Sequence, residues 1–392
     1  MKKSKILTGY LLVLVFFLSY IFSGCSAQSE ISDDNNLVNE IPKAEDKNLI
    51  GEIPELEDEE LIGENPELKD KALIDEILEL LDQNAKNYDF NASILIAKDG
   101  KVLLSKSFGF ADYNYSNQIK NEPDTIFNIG SITKQFTAAA ILLLQERGLL
   151  GTEDTIDKYI TDYPDGNSIK IYNLITHTSG IKEYLPYIEE DKWDEPHTIE
   201  NLIGLFKDKG LDFKPGEKYS YCSSNYILLG YIIEKTSGMK YEEFLSKNIF
   251  QPLDMNRTGF GLTEDSFDKI AKGYKRIKPE PEAATPLDMS IAYAAGALQS
   301  TTEDLFKWDQ ALYSNKLFKE ESIKEMFTPY LENYAYGWMV TENVAEHNGA
   351  IFGFTSFIKR NMEKKYSIIM LANSDEDTIS QLEVKINNLL ME

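Results

Sequence analysis

Strand-like segments occur in two groups more than two hundred residues apart, and this separation constrains the fold more than any other feature. SILIAK and KVLLSKSFG flank Asp99-Gly100, a hairpin signal. Near the other end, YAYGWMVTEN, FTSFIKR and YSIIMLANS read as strands, and ISQLEVKINNLL follows as a helix. Between the groups, QFTAAAILLLQERG is an apolar, alanine-rich helix ending at Gly148. Residues 150–330 are mostly helical, with breaks at YPDG and KPGEK, and SNYILLGYIIEKTSG has the composition of a buried helix. The expectation is one α/β (α+β) domain. Its mainly antiparallel sheet joins distant segments and is flanked by helices, with a mostly helical lobe inserted between them.

Charge and composition exclude several functions. The chain of 392 residues has 40 Lys and Arg against 65 Asp and Glu, a net charge of −25. Phosphate backbones need clustered cations, so nucleic acid is not an expected partner. Two cysteines, Cys25 and Cys222, cannot build a disulfide scaffold. The three histidines, His177, His197 and His347, lack metal-ligand spacing, so no metal and no cofactor is expected. The G-x-S-x-G elbow, H-E-x-x-H, the phosphate-cradling G-x-x-x-x-G-K and the dinucleotide G-x-G-x-x-G are all missing from the sequence.

The N-terminal part reads separately. MKKSK, the apolar run Ile6 to Phe22 and then Ser23-Gly24-Cys25 have the layout of an export signal with a lipobox-like end. Residues 1–24 are then a lipoprotein-type signal peptide and Cys25 the lipidated first residue; the alternative is an uncleaved signal anchor. Either places the rest outside the cytoplasm, on the outer face of a bacterial cell membrane. A 12-residue repeat follows, starting at Leu37, Leu49, Leu61 and Leu73, with prolines at Pro42, Pro54 and Pro66 and Leu78 in the fourth copy. Glu30 to Asp82 holds 19 acidic and 4 basic residues, more than half of the excess negative charge. Self-repulsion and recurrent proline predict an extended tether over residues 25–70. The alternative is a repeat that binds cations or a wall polymer. Without its proline the fourth copy can be helical, with Leu73, Ile77, Leu80 and Leu81 on one face, so the folded domain is expected over 71–392.

Three segments could carry chemistry. In IGSITKQFTAAA, Ser131 opens a helix and Lys134 lies three residues on, which puts both on one face. Serine is a weak nucleophile until a base takes its proton, and a buried lysine of lowered pKa can do so. Ser-x-x-Lys is also common by chance, and serine is a frequent helix cap. In PGEKYSYCSSNYILLGYIIE, Tyr221 precedes a buried helix. It could relay a proton if Lys134 lowered its pKa, or it could be one more core tyrosine. In AEHNGAIFGFTSF, His347-Asn348-Gly349 lies on an expected strand whose backbone N–H could face an oxyanion, or which could be an ordinary edge. A triad through His177 is disfavoured, His197 reads as a surface residue, and Cys222 reads as a small buried residue.

In this order, SITK, YCS and HNG resemble the serine β-lactamase and penicillin-binding protein superfamily, in the branch of AmpC-type β-lactamases, D-Ala-D-Ala carboxypeptidases and related esterases. Those proteins carry Ser-x-x-Lys, Tyr-x-Asn and Lys-or-His-x-Gly. LITHTSGI, QPLDMNRTGF and AGALQSTTEDLFKW extend the resemblance over about residues 85–390. It implies a β-lactamase/transpeptidase-like fold. It implies Ser131 as the acylated nucleophile, with Lys134 and Tyr221 sharing base duty. It implies His347 beside a substrate carboxylate or the Tyr221 phenol, and an oxyanion hole of the Ser131 and Ala350 amides next to Gly349. One departure stands out: the family's asparagine falls on Ser223, whose hydroxyl is shorter and offers one donor where an amide offers two. Asn225 is nearby but out of register.

The implied function is an extracytoplasmic serine acyl hydrolase acting through acyl-Ser131. The implied substrates are cell-wall peptides or esters of D-Ala type, with β-lactams as a further candidate and the membrane as a partner through the lipid anchor. The rival is a catalytically weakened penicillin- or wall-peptide-binding sensor, marked by Ser223. A third reading makes the tether the working part and the domain a passive head.

Overall fold

In the computed structural model, residues 66–87, 90–113, 118–277, 280–375 and 379–391 are described. The signal-like segment, Cys25 and the first two repeat copies lie outside them. Helix α1 (Pro66–Asn87) opens on the third copy's proline, ahead of Lys71, and contains the whole fourth copy. Proline is tolerated there because the first turn of a helix has no use for its missing N–H. None of the described helices is long and apolar enough to cross a membrane.

Six strands form one antiparallel sheet: β1 (Ala92–Lys98), β2 (Lys101–Phe108), β3 (Met339–Thr341), β4 (Val344–Ile351), β5 (Phe354–Asn361) and β6 (Tyr366–Ala372). Their order is β2-β1-β6-β5-β4-β3. The two distant groups therefore meet at β1 and β6, in the register Ala92 to Ala372 through Lys98 to Tyr366. The turn joining β1 to β2 has Asp99 at φ +49° and Gly100 at φ +75°, the paired left-handed residues that match a hairpin's twist.

Both faces of this sheet are covered. On one, Ile94 and Ile96 of β1 and Ile368 and Met370 of β6 join Ile77 and Leu81 of α1. Leu382 and Ile386 of the C-terminal helix α6 (Ile379–Met391) complete that cluster. On the other lies the helical lobe, at whose centre is α2 (Thr133–Glu146), buried from Thr133 to Leu144. A helix that is apolar all round belongs in a core. Double coverage explains why β1 and β6 read as continuous apolar runs instead of alternating ones. The lobe adds α3 (Ser223–Ser237), the short α4 (Tyr293–Gly296) and α5 (Thr302–Ala311).

One buried ion pair locks the lobe to the sheet. Arg360 of β5 places Nε 3.3 Å from Asp309 Oδ1 on α5, with both side chains essentially inaccessible. Asp309 also accepts from Ser367 Oγ of β6 at 2.6 Å, and the Arg360 guanidinium lies 4.0 Å from the Tyr313 ring centre. Removing one partner would leave a buried charge uncompensated. Asp309→Ala is therefore expected to lower stability by about 3–5 kcal/mol in urea unfolding.

Candidate active site

The sheet edge and α2 create the site. β3 pairs with β4 only over Val344 to Glu346, so β4 beyond His347 has no strand on that side. The 3-10 turn Gly130–Ile132 fills this edge, immediately before α2. Ser131 is therefore in the turn that leads into the helix, not in the helix itself, and no side chain caps α2. Ile129 anchors the turn twice: its N–H donates to Leu298 O at 2.9 Å, and its carbonyl accepts from Ser356 Oγ of β5 at 2.8 Å. The approach is so close that a Cβ on Gly349 would lie 2.2 Å from Ile129 O and 3.1 Å from Ser131 N. A Cβ on Gly130, whose φ is +49°, would lie 2.9 Å from Ala350 N. Glycine at both positions lets the backbone at Ser131 lie directly against that of Gly349 and Ala350.

Lys134 is wholly buried, and its Nζ lies 3.0 Å from Ser131 Oγ and 2.8 Å from Ala295 O of α4. The ammonium also sits 4.9 Å from the ring centre of Tyr221 and 5.5 Å from that of Tyr226. Burial drives its pKa down to about 7, against the pull of the Glu183 carboxylate. The neutral amine can donate to the Ala295 carbonyl while its lone pair takes the Ser131 proton.

The Ser131 side chain draws the pKa of the nearby Tyr221 phenol down, yet burial outweighs it and pushes that pKa well above the ordinary value. The lowering by Lys134 that a proton relay would require is not found; burial dominates. Tyr221 stays protonated near neutrality, which suits donation to a leaving group. The HTSG segment holds it in place. His177 takes the Ser220 N–H on its carbonyl at 2.9 Å and the Cys222 N–H on Nδ1 at 3.1 Å, and its ring lies 4.2 Å from that of Tyr221. His177 is thus a backbone clamp and a stacking surface, and its burial holds it uncharged.

His347 faces Tyr221 with ring centres 6.3 Å apart, but both its nitrogens are engaged elsewhere. Nδ1 lies 2.5 Å from Asn348 O, which can only accept, and Nε2 lies 3.1 Å from the Tyr334 hydroxyl. Nδ1 therefore carries the proton, Nε2 accepts, and the ring is neutral. Burial and the nearby Lys134 hold its pKa down at about 3. His347 has no free nitrogen for a substrate carboxylate or for the Tyr221 phenol.

Ser223 is the first residue of α3, and its N–H donates to Glu183 Oε2 at 2.6 Å. Asn225 is fully buried and accepts from Ser179 Oγ at 2.6 Å, so it does not stand in for the missing asparagine. The Cys222 thiol is buried and points to Ile181 O at 3.2 Å, and burial pushes its pKa up. His197 is half-buried, with Nε2 3.0 Å from Lys192 O, since the loop folds back on it. Past Ala350 on the same strand, Ile351 lines a cavity of about 210 Å³ with Met289, Leu287, Phe352 and Phe354. Among the described residues no cluster of His, Cys, Asp or Glu could hold a metal ion. Sequence reasoning missed Ala295, Tyr334 and Glu183. A backbone acceptor, a distant tyrosine and a glutamate within a surface-like stretch leave no local signal.

A family model described as Beta-lactamase matches residues 81–385. The chain belongs to the beta-lactamase family. It is 30% identical to penicillin-binding protein 4* of Bacillus subtilis over 321 residues, which cover 75% of this chain and 70% of that one. Among solved structures it superposes on the octameric penicillin-binding protein homologue from Pyrococcus abyssi with a TM-score of 0.72 and 32% identity, over 81% of this chain and 77% of that one. The penicillin-binding protein of Bacillus halodurans gives a TM-score of 0.67 and 27% identity, over 76% and 95% of the two chains. This places the chain in a family of serine hydrolases.

Two outcomes follow from this geometry. The reactive form of Lys134 is the neutral amine, so acylation should rise with pH through about 7 to a plateau, read as kcat/KM on a chromogenic ester. In the unfolded chain the same lysine keeps its proton up to the ordinary 10.5. The unfolded state then binds more protons between the two values, and this residue's contribution to stability improves with pH across that window. Gly349→Ala would drive a methyl into the Ile129 carbonyl and displace the oxyanion amides. We expect a loss of about 10²–10³-fold in kcat on the same ester.

Proposed function

We propose that this protein is an extracytoplasmic, membrane-tethered serine acyl hydrolase that acts through an acyl-Ser131 intermediate on D-Ala-type cell-wall peptides or esters. The observation that carries this reading is the 3.0 Å approach of a buried amine of lowered pKa to the Ser131 hydroxyl. Neutral Lys134 takes the Ser131 proton as Oγ bonds to the substrate carbonyl carbon. The carbonyl oxygen becomes an oxyanion held by the Ser131 and Ala350 amides. As the carbonyl re-forms, the bond to the leaving group breaks, and the Tyr221 phenol hands that group a proton, recovering one from Lys134. Water then adds to the acyl-enzyme by the same proton route and frees the acid. The export-signal layout of the N-terminal residues and the lipobox-like Ser23-Gly24-Cys25 support the location.

Ser223 favours a second reading, a penicillin- or wall-peptide-binding sensor. With one short hydroxyl in place of an amide, the site has fewer donors to hold the acyl group during deacylation.

Intact-mass analysis separates the two after incubation with a fluorescent penicillin, a D-Ala-D-Ala peptide and a simple ester. The hydrolase gives adducts that appear and decay with release of product, and Ser131→Ala forms none. Adducts that never decay favour the sensor. Labelling that persists in Ser131→Ala counts against both.

A further inference from the structure

Tyr334 is buried in the loop before β3, and nothing in the reaction sequence above uses it. That loop is seated on α2. Gly337, at φ +77°, approaches so closely that a Cβ on it would lie 2.7 Å from Gln135 Cα and 2.9 Å from the carbonyl carbon of Lys134. From there Tyr334 reaches both imidazoles of the site. Its hydroxyl lies 3.1 Å from His347 Nε2. Its ring meets that of His177 edge-on at 4.7 Å and that of Tyr221 edge-on at 6.0 Å.

His177 depends on that ring. Its Nδ1 accepts the Cys222 N–H, so the proton sits on Nε2, which has no hydrogen-bond partner among the described residues. Ring packing therefore holds that end of the imidazole, and His177 in turn holds the backbone on both sides of Tyr221.

His347 depends on the hydroxyl. With Nδ1–H donating to Asn348 O, Nε2 is a neutral nitrogen base, and its ring centre lies 6.3 Å from that of Tyr221. The titratable groups around it are Lys134 from α2, Tyr221 from the approach to α3, His177 from the HTSG segment and Tyr334 itself. A phenol has one proton to donate. An open Nε2 would compete with the leaving group for the Tyr221 proton. It could also take a proton from solvent and set a second cation beside Lys134. The Tyr334 hydroxyl closes both routes by donating to Nε2, because a hydrogen bond to that lone pair favours the unprotonated ring.

We propose that Tyr334 is a positioning residue for the reaction at Ser131: its hydroxyl occupies His347 Nε2 and its ring braces His177, so that the Tyr221 proton is reserved for the leaving group. This rests on the serine hydrolase reading and adds a residue to its proton route. Tyr334 acts through His347 and His177, apart from the bonds that form and break.

The test uses the full chain with ¹⁵N-labelled histidine, whose three rings can be assigned by substitution. In the wild type the His347 ring should give the spectrum of a neutral imidazole protonated on Nδ1, unchanged between about pH 5 and 8. Tyr334→Phe keeps the ring and loses the hydroxyl. It should make His347 titrate within that window and lower kcat on the chromogenic ester by about tenfold, with KM changed less than twofold. A wild-type His347 that titrates in the window, or carries its proton on Nε2, overturns the proposal without any variant. So does a Tyr334→Phe kcat within twofold of wild type. A fall in kcat with the His347 spectrum unchanged also overturns it, since Tyr334 would then be a packing residue alone. If the wild type acylates Ser131 and these outcomes go against Tyr334, only this proposal fails. If the wild type forms no acyl-Ser131, the hydrolase reading fails and takes the proposal with it.

Discussion

The structure turns on a buried ammonium. Lys134 lies in the core of the helical lobe, where an isolated charge is costly, and its direct hydrogen bonds go to a serine hydroxyl and a backbone carbonyl. That expense is what makes it useful. A lysine as well solvated as its surface counterparts would stay protonated at neutral pH and could not take a proton from Ser131. The arrangement needs α4 to bring the Ala295 carbonyl against α2. It also needs the tyrosines of α3 and its approach segment to supply ring faces where other carboxylates would have restored the charge.

The sheet does the complementary work. Its short edge partner, β3, stops at the level of Glu346 and leaves the next part of β4 open. A turn of the chain replaces the missing strand there, held by the Ser356 hydroxyl on the Ile129 carbonyl. Two glycines, one on each side, reduce the gap to backbone contact. Ser131, the proposed nucleophile, thus rides on the lobe, and Ala350, proposed to share its oxyanion hole, on the sheet. The Asp309–Arg360 pair ties α5 of the lobe to β5 and so bears on the alignment of the two.

Much of this was legible in one dimension. Doubly buried strands and an all-apolar helix leave unbroken hydrophobic runs, and the Asp99-Gly100 turn has a composition few other structures require. Ser131 and Lys134 could be paired because three residues bring side chains to one helical face. Tyr221 and His347 could be named only through the resemblance, since nothing local distinguishes Tyr221 from 21 other tyrosines. The electrostatics were less accessible. A proton relay through Tyr221 requires a lowered pKa, and the resemblance implies a His347 beside a substrate carboxylate or the Tyr221 phenol. Desolvation reverses the first, and the Tyr334 hydroxyl and the Asn348 carbonyl preclude the second.

By itself, then, the order of residues determined the sheet's two halves, the central helix and the serine–lysine pair, because each depends on periodicity or on neighbours a turn apart. Tertiary structure decided the protonation states and the close approach of Ser131 to Gly349 and Ala350. Those depend on how deeply a group is buried and on which distant backbone atoms face it, and chain spacing encodes neither.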